Sequence, residues 1–199
     1  MAFTEQKNEM IRKTLLEEAL HCAVTIGMRK TSVEQLTEAA GIAKGSFYKF
    51  FPSKELLFFA VLENIHAETY SVAEKALQDN AKLIPTERAT KIILAACKYL
   101  SDTKAMTFIE NDVEYLLRRI PADIKADHYH NDEIHIRQIL EASGLVPKGG
   151  MELAAATVRG LILTVSHQSE IGELYPQVLP HRPAGLVPAG AGGRKVSGN

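Results

Sequence analysis

The chain has 199 residues, 23 basic against 24 acidic, for a net charge of −1, and 46% of it is hydrophobic. That length can bury one large or two modest cores. The charge balance excludes a globally basic protein that coats nucleic acid, so any positive surface must be local. No apolar run approaches the 18 residues of a membrane span and no signal-peptide pattern is visible, which points to a cytosolic protein with no membrane partner. The two cysteines, Cys22 and Cys97, stand alone in helical patterns. They read as buried reduced thiols, with a redox switch as the alternative.

Residues 7–26 carry Ile11, Leu15, Ala19, Cys22, Ala23 and Ile26 at helical spacing, and Gly27 is the stop. Next comes the most informative stretch, Thr31 to Lys54: TSVEQLTEAAGIAKGSFYKFFPSK. Ser32 can cap a short helix, and Gln35, three residues on, completes a capping box. Val33, Leu36, Ala39 and Ala40 give that helix an apolar face. Gly41 can take the left-handed backbone of a sharp turn, and Ile42 can plug the turn into the core. A second short helix is expected from Ala43 to Phe51, ended by Pro52. Two helices joined by a Gly-containing turn are the pattern of a helix-turn-helix, whose second helix enters the DNA major groove.

The residue types on that second helix fit DNA. Between Gly41 and Lys54 stand Lys44, Lys49 and Lys54 with no acid, and a duplex presents dense phosphate charge. Residues 27–54 hold five basic residues against Glu34 and Glu38, a local balance of +3. Gly45 permits close backbone approach, and Lys44 and Ser46 are candidates for base or near-base contacts. Tyr48, Lys49, Lys54 and Ser32 are candidates for phosphate contacts. An amphipathic hairpin with a solvated basic face fits the pattern alone as well.

A long helix is expected from Ser53 to Asp79, with Leu56, Leu57, Ala60, Val61, Asn64, Ile65, Ala73, Ala76 and Leu77 on one face. At 1.5 Å per residue it spans about 40 Å, and its positive N-terminal end lies beside Lys54. Further helices are expected over 86–100, 105–119 (broken by Pro121), 122–143 (ended by Gly144) and 151–173. No strand alternation, Gly-rich phosphate loop or repeat is visible, so the fold class is all-α. His128, Asp132 and His135 fall on one face of the 122–143 helix and are weak candidates for a divalent metal, with His66 or His167 as possible additions. A hydrated helix face is the plainer reading, and no metal or other cofactor is expected. No nucleophile elbow, HExxH or paired-carboxylate context supports an enzyme.

AAGIAKGSFYKFFPSKELLF resembles the helix-turn-helix of the TetR family of bacterial transcription regulators, through Ala40, Gly41, Lys44, Gly45, Phe47, Tyr48, Phe51, Lys54, Glu55 and Leu57. The resemblance covers roughly residues 10–65. It implies an N-terminal three-helix DNA-binding domain (1–52, recognition motif 32–51) and a larger helical ligand-binding and dimerisation domain (53–175). It also implies a homodimer packed through the 151–173 helix, which carries Leu153, Ala154, Thr157, Val158, Leu161, Ile162 and Val165 on one stripe. Two recognition helices one DNA turn apart would then read a palindromic operator in double-stranded DNA. A small-molecule effector would bind among residues 86–173 and shift the helix that starts at Ser53, with Tyr70, Tyr99, Met106, Phe108, Tyr115 and Leu116 as candidate lining residues. The expected function is a ligand-responsive repressor; the alternative is a helical interaction or ligand- or metal-binding protein without specific DNA binding. Residues 176–199 depart from the family pattern: Pro176, Pro180, Pro183 and Pro188 and five glycines forbid a long helix. A natural divergent tail and an altered reading frame both fit that composition.

Overall fold

The structure, a computed structural model, describes residues 4–167, 170 and 172–175, apart from the side chains of Ser166 and Leu174. The Pro/Gly-rich tail over 176–199 lies outside the described residues. Eight α-helices are arranged without a strand among the described residues, and none is long and apolar enough to cross a membrane.

Helix α1 (Glu5–Thr25) buries Ile11, Leu15, Ala19, Cys22 and Ala23, the stripe expected from the spacing. Ile26 leaves the stripe as the C-cap and is 43% exposed. Gly27 then turns the chain at φ +88°, a backbone state that side chains disfavour. A three-residue 3-10 turn (Met28–Lys30) follows with Met28 fully buried.

Helix α2 (Val33–Ala39) begins with the capping box. Gln35 N–H donates to Ser32 Oγ at 3.2 Å, and Ser32 N–H donates to Gln35 Oε1 at 2.8 Å. Such a cap contributes about 0.5–2 kcal/mol. Ala39, expected on the apolar face, is exposed. Thr37 is buried instead, because its hydroxyl donates back to Val33 O at 2.9 Å and needs no water. Gly41 adopts φ +63° in the turn, as expected, and Ile42 packs partly buried against the core.

The second helix of the motif differs from expectation. It is a six-residue 3-10 helix (Lys44–Lys49), not an α-helix reaching Phe51. Ala43 is still extended, and Pro52 is only three residues beyond Lys49, so the segment is too short for an α-helix to propagate.

Helix α3 (Lys54–Asp79) starts where expected, capped by Ser53 Oγ accepting from Leu56 N–H at 3.1 Å. Phe58, Leu62 and Thr69 are buried beside Leu57, Val61, Ile65 and Ala73, while Asn64 is exposed. The buried face is broader than a single stripe because α3 packs against α1 on one side and against helices of the C-terminal half on others. Those it meets are α4 (Pro85–Asp102), α5 (Ala105–Phe108), α6 (Glu114–Leu117) and α7 (Ala122–Ala142), and α8 (Met151–Leu163) packs on α7 and α4.

Helices α5 and α6 are joined by a π-turn over Ile109–Val113, so the expected 105–119 helix is interrupted and ends at Leu117. The expected 151–173 helix stops at Leu163 and passes into a 3-10 turn (Thr164–His167), with Gly172 at φ +78°. Tyr175 returns to the core, its hydroxyl 3.4 Å from Thr164 Oγ1.

One apolar cluster runs from Ile11 to Tyr175 through Leu36, Phe47, Phe58, Leu100, Phe108 and Leu116. Each fully buried aromatic or Leu contributes about 1.5–3 kcal/mol. Cys22 and Cys97 are both buried and unpaired, and burial pushes both thiols up, Cys97 to about 11. Both are therefore protonated at neutral pH, as the reading of buried reduced thiols expects.

Gly27 gives the fold its first test. A Cβ there would lie 3.0 Å from Asp112 Oδ2, on a backbone at φ +88°. Gly27→Ala should lower stability by about 1–3 kcal/mol in urea denaturation, the cost of such strain. Unchanged stability would show that this turn does not constrain the fold.

Candidate nucleic-acid interface and effector cavity

The Lys44–Lys49 helix is held from beneath by aromatic packing. Phe47 is fully buried, with its ring centroid 6.2 Å from that of Phe51. From α1, Arg12 Nη1 donates to Phe50 O at 3.0 Å, and its guanidinium lies 4.3 Å above the Phe51 ring. Nothing in the spacing pointed to Arg12, because a lone Arg on a solvent-facing turn of a helix carries no motif signal.

With Phe47 fixed inward, the other faces point out. Lys44, Gly45 and Lys49 are exposed, Tyr48 is 56% exposed, and Ser46 is half-buried. Tyr48 stands edge-on to Phe47 at 5.4 Å, which props the phenol away from the body. A Cβ on Gly45 would meet nothing within 4 Å. The missing side chain is therefore not required by this chain's own packing.

Two candidate DNA contacts, Lys44 for bases and Lys54 for phosphate, have partners within the protein. Lys44 Nζ forms an exposed ion pair with Glu34 Oε1 of α2. That hydrogen bond raises the lysine and lowers the carboxyl from their ordinary values. The stretch from Gly41 to Lys54 is free of acid in sequence, but the surface is not, since α2 turns Glu34 toward it. Lys54 is not directed to solvent. Its ammonium donates to Met28 O at 3.0 Å and Thr31 O at 2.8 Å, tying α3 to the loop before α2. Ser32 is engaged in the capping box described above.

Behind this end of the molecule sits a buried carboxylate. Asp112, in the π-turn, is 2% exposed. Its Oδ2 accepts from Met28 N–H at 2.8 Å, and its Oδ1 accepts from Arg29 Nε at 3.0 Å. Arg29 also donates to Asn111 O at 3.3 Å. The π-turn aims the carboxylate at the loop before α2, and Gly27 leaves the space for it.

A cavity of about 390 Å³ opens between α3, the α5–α6 segment, α7 and α8. Leu62, Leu100, Met106, Ile109, Val113 and Ile162 make it mostly apolar, and His66, Tyr70, His128, Asp132 and Arg159 form a polar end. Of the expected lining residues, Tyr70 and Met106 are there. Phe108 and Leu116 are fully buried in the core; Phe108 packs 6.0 Å from Phe58. Tyr99 opens on a different cavity between α1, α3 and α4. Tyr115 is half-buried against the core beneath Arg119, 3.6 Å from its guanidinium, and does not line this cavity.

The suggested metal trio does not assemble. His135 stacks on Tyr70 at 4.7 Å, and its Nδ1 lies 2.8 Å from Asn131 O of its own helix. Asp132 is held by the Tyr70 hydroxyl and by Arg159 Nε at 3.1 Å. His128 meets Glu63 and His66 of α3 instead. His66 was a possible addition in the sequence, but Glu63 gave no signal, because its partners lie 65 residues away on α7.

The family model for bacterial regulatory proteins of the tetR family matches residues 15–61, which contain α2, the Lys44–Lys49 helix and the start of α3. The chain is 29% identical over 102 residues to the uncharacterised HTH-type transcriptional regulator YdgC of Bacillus subtilis, covering 49% of this chain and 51% of that one. It is 41% identical over 54 residues to the HTH-type transcriptional regulator RutR of Escherichia coli, covering 27% and 26%. The matched stretches thus span about half or less of these relatives. A solved structure of a tetR family transcription regulator from a Shewanella species superposes with a TM-score of 0.62 at 20% identity, over 84% of this chain and 90% of that one, a likeness of fold. With the motif in place on an all-helical frame of the same architecture, residues 15–61 are similar to the tetR family of bacterial regulatory proteins, and the fold is similar to that of the solved tetR family regulator.

Proposed function

We propose that this chain is a DNA-binding transcriptional regulator that acts as a homodimer on a palindromic operator and responds to a small molecule. Residues 1–52 read DNA and residues 53–175 sense and dimerise. The observation that carries the reading is the outward face of the Lys44–Lys49 helix. Lys44, Gly45, Tyr48 and Lys49 are presented on a short rigid segment whose Phe47 is locked beneath. Gly45 is spared a side chain that the protein itself could accommodate, which suits a backbone approached closely by an external duplex. Lys44 and Ser46 face bases, and Tyr48 and Lys49 hold phosphate. Lys54 supports the site by fixing the loop carbonyls, and Ser32 by capping α2.

Helix α8 supports the dimer. Only Ala155 of its thirteen residues is buried, while Leu153 and Leu163 are 61% and 57% exposed. Large apolar side chains left open on one helix suit a partner surface, and Gly160, with open space where a Cβ would be, lets a second helix approach.

The cavity volume suits a small effector with an apolar body. Ile109 and Val113, which line it, flank Asp112 in the same π-turn. A ligand that displaces this turn pulls on Met28 and Arg29 and thereby on α2 and the recognition helix. Repression relieved by the effector follows, with a coupling of order 1–3 kcal/mol.

Selection of binding sites from randomised duplexes at two salt concentrations, followed by sizing of the complex, tests the reading. A palindromic site bound by an even number of chains is expected. The absence of any specific site, with a monomer in solution, would favour a helical interaction module. On the selected site, Gly45→Ala should leave stability within about 0.5 kcal/mol while weakening DNA binding, and equal affinity would remove Gly45 from the interface. Lys44→Ala should cost roughly 1–3 kcal/mol of specific binding, and a titration at fixed salt with no loss would sink its base-reading role. Glu34→Gln should tighten binding about fivefold at low salt, because one like charge near phosphate costs roughly 1 kcal/mol in water; weaker binding would mean that Glu34 positions Lys44.

A further inference from the structure

We infer that Glu63, His66 and His128 form a binding site for a divalent transition-metal ion of the zinc class, bridging α3 to α7. One carboxylate oxygen and one ring nitrogen from each histidine lie within 4.8 Å of one another. Small side-chain movements bring such atoms to ligand distances of about 2.0–2.2 Å from a shared ion. The donor set, two imidazoles and a carboxylate, suits zinc, nickel or cobalt better than calcium or magnesium, which take oxygen ligands.

The surroundings are those of a built site rather than a solvated helix face. His128 is 7% exposed and His66 is also largely shielded, with the two rings stacked at 5.0 Å. Two imidazoles so close, in a cavity with mostly apolar walls, are costly to bury unless they are bonded. Burial pushes His66 below its ordinary value, against the pull of Asp132, which favours the neutral form that coordinates metal. The Glu63 carboxyl lies below its ordinary range through its contact with His128 Nδ1 at 2.6 Å, and so is ionised.

Asp132 Oδ1 lies 3.9 Å from His66 Nδ1, and Tyr70 and Arg159 fix that carboxylate. The separation is too long for a hydrogen bond, but the negative charge adds to the attraction of the cluster for a cation. Glu63 is 43% exposed, which gives the ion a path from solvent. His66 and His128 also line the apolar cavity, so three protein ligands leave a coordination position that a donor atom on a cavity ligand can fill. The site stands on this cluster alone and does not depend on the DNA reading.

Cobalt titration of the full chain, followed by visible absorption, tests the site. One Co²⁺ per chain is expected, with d–d bands of a four- or five-coordinate ion that Zn²⁺ displaces, and with a rise in Tm on saturation. Removing an outer-shell partner typically costs roughly 10–100-fold in metal affinity, so Glu63→Gln and His66→Gln, each a loss of a ligand, should weaken binding at least as much. Far-UV circular dichroism of both variants should remain that of the parent. His135→Ala, outside the cluster, should bind as the parent does. No cobalt band at millimolar metal, or bands that survive in both Glu63→Gln and His66→Gln, would overturn the assignment.

Discussion

The architecture depends on one buried carboxylate. Asp112 accepts from the Met28 amide and from Arg29, and so joins the π-turn between α5 and α6 to the loop that leads into α2. A buried charge without partners is strongly destabilising, so this arrangement exists only while the loop before α2 and the π-turn are docked. Gly27 at φ +88° and the π-turn are the two backbone irregularities that allow the approach. The same π-turn contributes Ile109 and Val113 to the cavity wall. The cavity wall and the anchor of the loop before α2 thus share one short segment, the π-turn.

Helix α3 is the second link. Ser53 caps it beside the Lys44–Lys49 helix, Lys54 ties it to the loop before α2, and His66 and Tyr70 carry it past the polar end of the cavity. The effector response expected from the family resemblance runs along this helix alone. The Asp112 contact adds a second connection, from α5 and α6. Two connections that meet at the same loop, through Asp112 on Met28 N–H and Lys54 on Met28 O, make its position sensitive to either.

What the sequence made legible was governed by local rules. The Ser32–Gln35 capping box, the Gly41 turn, the Gly27 stop and the Ser53 start of α3 each involve residues within four positions of one another, and each is present in the fold. Tyr48, a candidate phosphate contact from its residue type, is exposed beside the buried Phe47. The surroundings that pattern missed are those set by distant partners. Lys44 and Lys54 read as free cations, yet Glu34 and two loop carbonyls take them up. Phe108 and Leu116 read as possible ligand contacts and are core, since apolar composition alone does not distinguish a cavity wall from a packed interior. Asp112 carried no signal: a lone acid in an amphipathic helix normally faces water, and only the π-turn rotates it inward.

Amide hydrogen exchange in Asp112→Ala tests the central claim, that this carboxylate holds the loop before α2 to the rest of the fold. A hydrogen bond to a charged group contributes about 1.5–3 kcal/mol, so exchange over residues 27–32 should accelerate at least tenfold, while peptides from α4 exchange as in the parent. Unchanged exchange over 27–32, or equal acceleration along the whole chain, would contradict the claim and leave Asp112 with no specific linking role.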